Sequence, residues 1–254
     1  MISGYPIWSV LLICVGVFCA AFIDAIGGGG GIISVPMYLL AGLPTHYALG
    51  TNKLSSCLGT IASTFRYLKN GFVDWGLAVP SVVLAIVGAH FGTSLQIMVN
   101  EDYLKYMLLV VLPVVAVIML RQKRFPEEKG QINPWKQRLI VWAASVVLGA
   151  YDGFYGPGTG TFLIIAFTVF THMNMRSANA QAKVINLTTN ITSLTIFLLN
   201  GQVVFLLGLA AAACNMAGNY LGANLALSQG SRITRPVILL VLFLLFLKVL
   251  GIFG

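Results

Sequence analysis

Two lysines, Lys53 and Lys183, each lie inside a segment that is otherwise largely apolar. A lysine at the centre of a bilayer costs roughly 2.5–3.5 kcal/mol, so two of them at matching places need a reason. Because an ammonium group among apolar residues attracts anions, we expect both lysines to bind an anionic substrate. Snorkelling towards the membrane surface is the alternative, since each lysine lies about two turns into its segment.

Two glycine-rich stretches, 27–31 and 156–160, predict breaks in helices. Glycine costs a helix about 1 kcal/mol relative to alanine, so we expect short helices to restart at Ile32 and Thr161. Irregular backbone at membrane depth must line a cavity or be buried in protein, and a helix N-terminus there favours an anion. Close helix packing through small residues is the alternative. The predicted backbone ligands are Gly28, Gly29, Gly30, Gly31, Gly158, Thr159 and Gly160.

Asp24 and Asp152 each lie inside an apolar segment. They could form structural ion pairs with Lys53 and Lys183 and make the four charges neutral. In a functional version of this arrangement, an arriving anion takes over the lysines and frees a carboxylate to bind a proton or a sodium ion. Asp24 and Asp152 are therefore candidate ion-coupling residues.

Neutral polar residues surround both lysines. They could line a cavity as hydrogen-bond donors, or they could only bridge helices, which is worth about 0.6 kcal/mol each. The candidates are Thr51, Asn52 and Ser56 near Lys53, and Gln181, Asn186 and Asn190 near Lys183.

The sequence shows no signature of catalysis or of a cofactor. Ser56 shares a helix face with Lys53, as a Ser–Lys nucleophile pair would, but Gly-x-Ser-x-Gly and His-Glu-x-x-His do not occur. The three histidines lack metal-ligand spacing, and no Gly-Lys-Ser/Thr follows the glycines. We therefore expect no enzymatic activity, no cofactor and no metal.

The composition places these residues in a membrane. Of the 254 residues 58% are hydrophobic and only 9% are charged, with a mean hydropathy of +0.89. A soluble domain carries about 25% charged residues, so this chain cannot cover itself against water and requires lipid around it. The net charge of +8 arises partly from a basic stretch at 121–138 and forms no basic face elsewhere. This distribution excludes a nucleic-acid partner.

Apolar runs predict an all-α polytopic membrane protein with ten segments. The second segment of each half is too short for a comfortable crossing and begins at a glycine-rich stretch. The predicted division is a first membrane repeat at 1–120, a basic linker at 121–137 and a second membrane repeat at 138–254. The segments are 7–26, 32–43, 46–68, 72–98 and 103–120, then 138–153, 157–171, 176–199, 202–227 and 233–252.

The second half repeats the first. At one offset Lys53 matches Lys183, Asn70-Gly71 matches Asn200-Gly201, and Gly88-x-x-x-Gly92 matches Gly218-x-x-x-Gly222. The last two motifs are most simply helix-packing faces. Because each half has an odd number of segments, the two repeats must be inverted, which is typical of secondary transporters with a site between the repeats.

The distribution of basic residues predicts the orientation. The positive-inside rule places the linker 121–137 in the cytoplasm, together with the loops that carry Arg66 and Arg176. Both termini and the Asn200-Gly201 turn are then expected outside.

The stretch Ile23–Pro36, followed by Leu43-Pro44 and by residues 48–54, resembles the first-repeat signature of the sulfite exporter TauE/SafE family. The Lys183 segment and Gly218-x-x-x-Gly222 are similar to its second repeat, so the resemblance extends over nearly the whole chain. It implies a bacterial or archaeal inner-membrane permease for small, often sulfur-containing anions. The second repeat has Gln181-Ala182 where the first has Thr51-Asn52, so the repeats need not participate equally.

These observations predict a secondary transporter of a small, sulfur-containing anion such as sulfite, sulfoacetate or another organosulfonate. A proton or sodium gradient, or the gradient of the anion itself, would drive it. The alternatives are an anion channel, a transporter of small organic acids without sulfur, and a non-transporting assembly protein. The direction of transport and the oligomeric state stay open, with a homo-oligomer as one arrangement.

Overall fold

The computed structural model describes residues 4–100, 103, 132–230, 232, 233, 236 and 237. Most of the predicted segments 103–120 and 233–252 and of the linker 121–137 lies outside these residues. The described part of the chain forms eight helices. They are α1 (Ile7–Gly27), α2 (Gly31–Leu40), α3 (Thr45–Lys69), α4 (Trp75–Met98), α5 (Pro134–Phe154), α6 (Thr159–Phe170), α7 (Met175–Leu199) and α8 (Phe205–Gln229).

Four of these helices, α1, α4, α7 and α8, are long and apolar enough to cross a membrane. Helix α3 has 25 residues, but its first half carries the polar run Thr51, Asn52 and Lys53. Helices α2 and α6 are apolar and have only 10 and 12 residues, as the sequence predicts. The prediction of an all-α polytopic membrane protein is confirmed.

Both glycine-rich stretches interrupt a helix. Gly28 and Gly29 have φ values of 75° and 81°, and Gly156 and Gly158 have φ values of 91° and 90°. Positive φ is open to glycine and strained for residues with a Cβ, so glycine suits these four positions. The helices restart at Gly31 and Thr159, slightly earlier than the sequence predicts.

The two Gly-x-x-x-Gly motifs are packing faces, as predicted. A Cβ on Gly218 or Gly222 of α8 would overlap the carbonyl oxygens of Phe18 and Phe22 on α1. In the same way, Gly88 and Gly92 of α4 lie against the backbone of α5 at residues 146 and 150. Glycine at these places lets two helix backbones touch directly. The first helix of each half therefore packs on the last described helix of the other half.

Contacts between helices give their relative directions. Lys53 reaches Asn190 while Thr64 bonds the carbonyl of Lys183, so α3 and α7 run antiparallel. Thr51 meets Val204 and Gly59 meets Asn215, so α3 and α8 run parallel. Glycine contacts along both packed pairs make α1 parallel to α8, and α5 parallel to α4.

Apart from the buried Lys53 and Lys183, the lysines and arginines of the described helices collect at one end of the bundle. Arg176, at the start of α7, donates to the carbonyl of Ser228 and lies over the ring of Phe72. Arg66, near the end of α3, lies over the ring of Tyr220. Helix α5 begins at this same end, because it runs parallel to α4. The opposite end carries the uncharged Asn200-Gly201 turn.

Candidate functional site

A polar cleft of about 600 Å³, including the space at its open mouth, lies between α1, α3, α7, α8 and both glycine-rich breaks. Most residues that the sequence singles out line this cleft, whereas Gly28, Thr51, Gln181 and Lys183 do not. The predicted residues in its wall are Asp24, Gly29, Gly30, Gly31, Asn52, Lys53, Ser56, Asp152, Gly158, Thr159, Gly160, Asn186 and Asn190.

Lys53 is the cation that faces the cleft. Its ammonium donates to Asp152 Oδ2 at 2.8 Å and to Asn190 Oδ1 at 3.1 Å. The side chains of both ion-pair partners are only 7% exposed. Helix α3 holds Lys53 here because residues 49, 52, 53, 56 and 60 share the helix face that lines the cleft. A buried charge of this kind needs its partner, and the cleft is the place where an anion could replace that partner.

Lys183 lies outside the cleft and is fully buried. Its ammonium donates to Asp24 Oδ2 and to the backbone carbonyl of Asp24. The other carboxylate oxygen, Asp24 Oδ1, accepts from the amide of Gly30 at 3.0 Å. Lys183 therefore fastens the last turn of α1 and the following break to α7, while Asp24 itself reaches the cleft wall.

The two ion pairs join opposite halves of the chain. Lys53 of the first half pairs with Asp152 of the second, and Lys183 of the second half pairs with Asp24 of the first. The four charges therefore neutralise one another, which is the arrangement that the sequence allows as an ion-paired quartet.

The two breaks pack directly against each other. Thr161 Oγ1 donates to the carbonyl of Gly27 at 2.8 Å, and a Cβ on Gly28 would overlap the backbone at Gly160 and Thr161. Gly28 thus serves this close approach and not the cleft wall. The amides of Gly31 and Gly160, at the first turns of α2 and α6, have no protein acceptor among the described residues. Both glycines line the cleft, where the N-terminal end of a helix favours negative charge.

Thr51 and Gln181 bridge helices at the two ends of the bundle. Thr51 Oγ1 accepts from the amide of Val204 at 3.0 Å, next to the start of α8. Gln181 Nε2 donates to the carbonyl of Asp74 at 2.8 Å, next to the start of α4. The two residues occupy equivalent places in the two halves and hold equivalent loops. Their geometry corresponds to the bridging alternative that the sequence leaves open.

Several cleft residues were not among the candidates from the sequence. Asn215 and Asn219 project from α8, and Asn219 Nδ2 donates to Asn215 Oδ1 at 2.7 Å. Thr60 accepts from Asn190, which itself holds Lys53. The spacing of four between Asn215 and Asn219 in the middle of a largely apolar helix is the signal that could have shown this pair.

A bundle of membrane-crossing helices with a charged, polar cleft between broken helices defines the class of membrane transporters. The model of the sulfite exporter TauE/SafE family matches residues 12–249 of this chain. The chain therefore belongs to the TauE/SafE family. No solved structure matches it.

Bacterial relatives agree with this assignment. The chain is 34% identical over 240 residues to a probable membrane transporter protein of Haemophilus influenzae, covering 94% of this chain and 92% of the relative. It is 33% identical over 222 residues to the probable membrane transporter protein YfcA of Escherichia coli K12, covering 87% and 82%. A probable membrane transporter protein, ORF9, of Sinorhizobium is 31% identical over 239 residues, covering 93% and 90%. The protein is a membrane transporter and not an enzyme.

Proposed function

We propose that this transporter carries a small, sulfur-containing anion, such as sulfite, sulfoacetate or another organosulfonate. The bound anion replaces Asp152 as the charge partner of Lys53. The observation that carries the proposal is the position of Lys53, a buried cation in the wall of an open cleft whose charge partner within the described part of the chain is the carboxylate of Asp152. Gly31 and Gly160 lie in the wall of the same cleft, and their amides have no protein acceptor among the described residues, so we expect them to add two donors. An oxyanion with several acceptor oxygens fits such a set of donors.

The same contact suggests how an ion gradient could drive transport. When the anion binds Lys53, Asp152 loses its partner and becomes a buried, unpaired carboxylate. That charge is costly in the low-dielectric interior unless a proton or a sodium ion neutralises it. Asp24, which also lines the cleft, offers a second carboxylate for this role. Anion and coupling ion would then move together, so that the cleft stays neutral.

The two halves of the chain are proposed to be inverted repeats. The directions of the described helices support this, because α3 runs opposite to its equivalent α7, and α1 and α8 run opposite to α5 and α4. The basic end of the bundle is proposed to face the cytoplasm together with the linker 121–137, which places the N-terminus outside. The proposed location is the inner membrane, with the basic end of the bundle on its cytoplasmic side.

Uptake of labelled sulfite and sulfoacetate into proteoliposomes tests the proposal, with and without imposed pH and sodium gradients. Lys53→Ala should lower gradient-dependent uptake by about 30-fold or more, since removing one partner of a buried charge pair costs at least about 2 kcal/mol. Lys69→Ala is the matched control, because Lys69 lies on the same helix and is exposed. Equal uptake by both variants would contradict the role of Lys53.

Counterflow separates a carrier from an anion channel. Unlabelled substrate inside the vesicles should accelerate entry of labelled substrate, because a carrier returns loaded. Transport without such acceleration would favour a channel. If no sulfur compound is taken up but a carboxylate without sulfur is, the assignment of a sulfur-containing substrate is wrong.

A further inference from the structure

The cleft wall contains amide groups whose hydrogen-bonding capacity is not used. Asn52 is 7% exposed and Asn219 is 1% exposed, yet neither side-chain oxygen has a partner within the described residues. Both residues line the cleft, as does Asn215, which is 3% exposed. A buried carbonyl oxygen without a donor lowers stability, so its retention calls for an explanation. We name Asn52, Asn215 and Asn219 the asparagine wall.

The backbone of α3 makes room for the asparagine wall. A Cβ on Gly59 would overlap Asn215 Oδ1 and would lie 2.9 Å from Asn219 Nδ2. Glycine at this position in the middle of α3 weakens the helix. It allows the two amides of α8 to sit between the helices and reach the cleft.

The other half of the chain does without these amides. At the offset that aligns the two Gly-x-x-x-Gly motifs, the residues equivalent to Asn215 and Asn219 are Ala85 and Ala89, and the residue equivalent to Asn52 is Ala182. All three alanines are fully buried. The equivalent helices α4 and α7 therefore pack with alanine at these positions. Packing alone does not require asparagine at the corresponding positions of α8 and α3.

We propose that the asparagine wall is a second subsite of the cleft, which binds a hydrogen-bond donor on the substrate at a distance from its anionic group. The proposal rests on the proposed anion transport and names the substrate class more closely. Lys53 and the helix ends hold the negatively charged group, and the free oxygens of Asn52 and Asn219 accept from a hydroxyl or a similar donor. The preferred substrate is a small organic anion with such a donor.

Matched probes that differ by one hydroxyl group test this subsite. Ethanesulfonate and 2-hydroxyethanesulfonate form one pair, and propanesulfonate and 3-hydroxypropanesulfonate form a second pair with longer reach. Ligand-induced rise of the melting temperature in detergent gives the dissociation constant of each probe without requiring transport. The wild-type protein should bind the hydroxylated member of at least one pair about tenfold more tightly, which is the value of one good hydrogen bond.

Variants of the asparagine wall should remove this preference. In Asn52→Ala and in Asn219→Ala the tenfold ratio should fall towards one, and both variants introduce the residue that the equivalent helix already tolerates. Asn224→Ala is the matched control, because Asn224 lies on α8 and its side-chain oxygen also has no partner among the described residues, but it does not line the cleft. It should keep the wild-type ratio.

The outcomes separate the two proposals. Equal binding within both probe pairs by the wild-type protein, or a preference that persists in both variants, would overturn the second subsite. A preference that disappears in these variants, without transport of sulfite or of any sulfonate into proteoliposomes, would leave the subsite standing and remove the proposed function.

Discussion

The Lys53–Asp152 ion pair allows a test that separates a structural role from a role in transport. Lys53→Met or Asp152→Asn alone leaves a buried charge without its partner, whereas the double variant removes both charges. Breaking a buried pair costs about 3–5 kcal/mol, whereas replacing both partners by neutral residues is often close to neutral. Because the pair lines an open cleft and is 7% exposed on each side, we expect the lower value, about 3 kcal/mol.

The two single variants and the double variant form a double-mutant cycle with the wild type. Melting temperatures in detergent measure how each variant changes the stability of the protein. For a chain of this size 1 kcal/mol corresponds to about 2–4 °C, so each single variant should melt about 6–12 °C below the wild type. The double variant should recover most of this loss, because no unpaired charge remains. Single variants that melt at the wild-type temperature would contradict the ion pair itself.

Uptake by the same proteins gives the functional side. If Lys53 binds the anion, the double variant is stable and still fails to take up sulfite or sulfoacetate. A double variant that melts like the wild type and transports at the wild-type rate would refute the reasoning, because the pair would then serve stability alone. The cycle thus gives a result that neither single variant can give.

Three further predictions concern coupling, packing and orientation. Asp24→Asn combined with Asp152→Asn should abolish the pH or sodium dependence of uptake, since these two supply the carboxylates that the described residues contribute to the cleft wall. Unchanged dependence in gradient experiments would exclude the coupling role. Gly222→Ala should lower the melting temperature, because overpacking against the α1 backbone costs about 1–3 kcal/mol and the gain in helix propensity is only about 1 kcal/mol. Gly16→Ala is the control: its new methyl group meets the flexible side chain of Met37, so the melting temperature should change little. In a variant without native cysteines, Lys136→Cys should react with a membrane-impermeant maleimide from the cytoplasmic side and Asn200→Cys from the outside; the reverse pattern would invert the proposed orientation.

The sequence predicts where the described helices lie but is less accurate at their ends. Composition, apolar runs and glycine-rich breaks are strong signals, because lipid requires every backbone group to be satisfied within helices. The predicted starts of α4 and α5 at 72 and 138 were less accurate because they did not use side-chain caps. Asp74 accepts from the amides of Gly76 and Leu77, and Asn133 accepts from the amide of Trp135, so these helices begin at Trp75 and Pro134. An Asp or Asn just before an apolar run is a cap signal that could have fixed both ends.

The candidate site shows a different limit of sequence reasoning. Lys53 and Lys183 look equivalent in the sequence, because the repeat aligns them and polar residues surround both. Each pairs with the aspartate of the other half, yet Lys53 lines the cleft whereas Lys183 is fully buried outside it. Only the packing between the halves determines which ammonium faces the cleft. A comparison of the two repeats for shared residues does not find the asparagine wall, because the equivalent positions of the other half are alanines. In a duplicated chain, the shared residues indicate what both halves need for the fold and the common charge site, and a polar residue opposite an alanine indicates where one half has a requirement of its own.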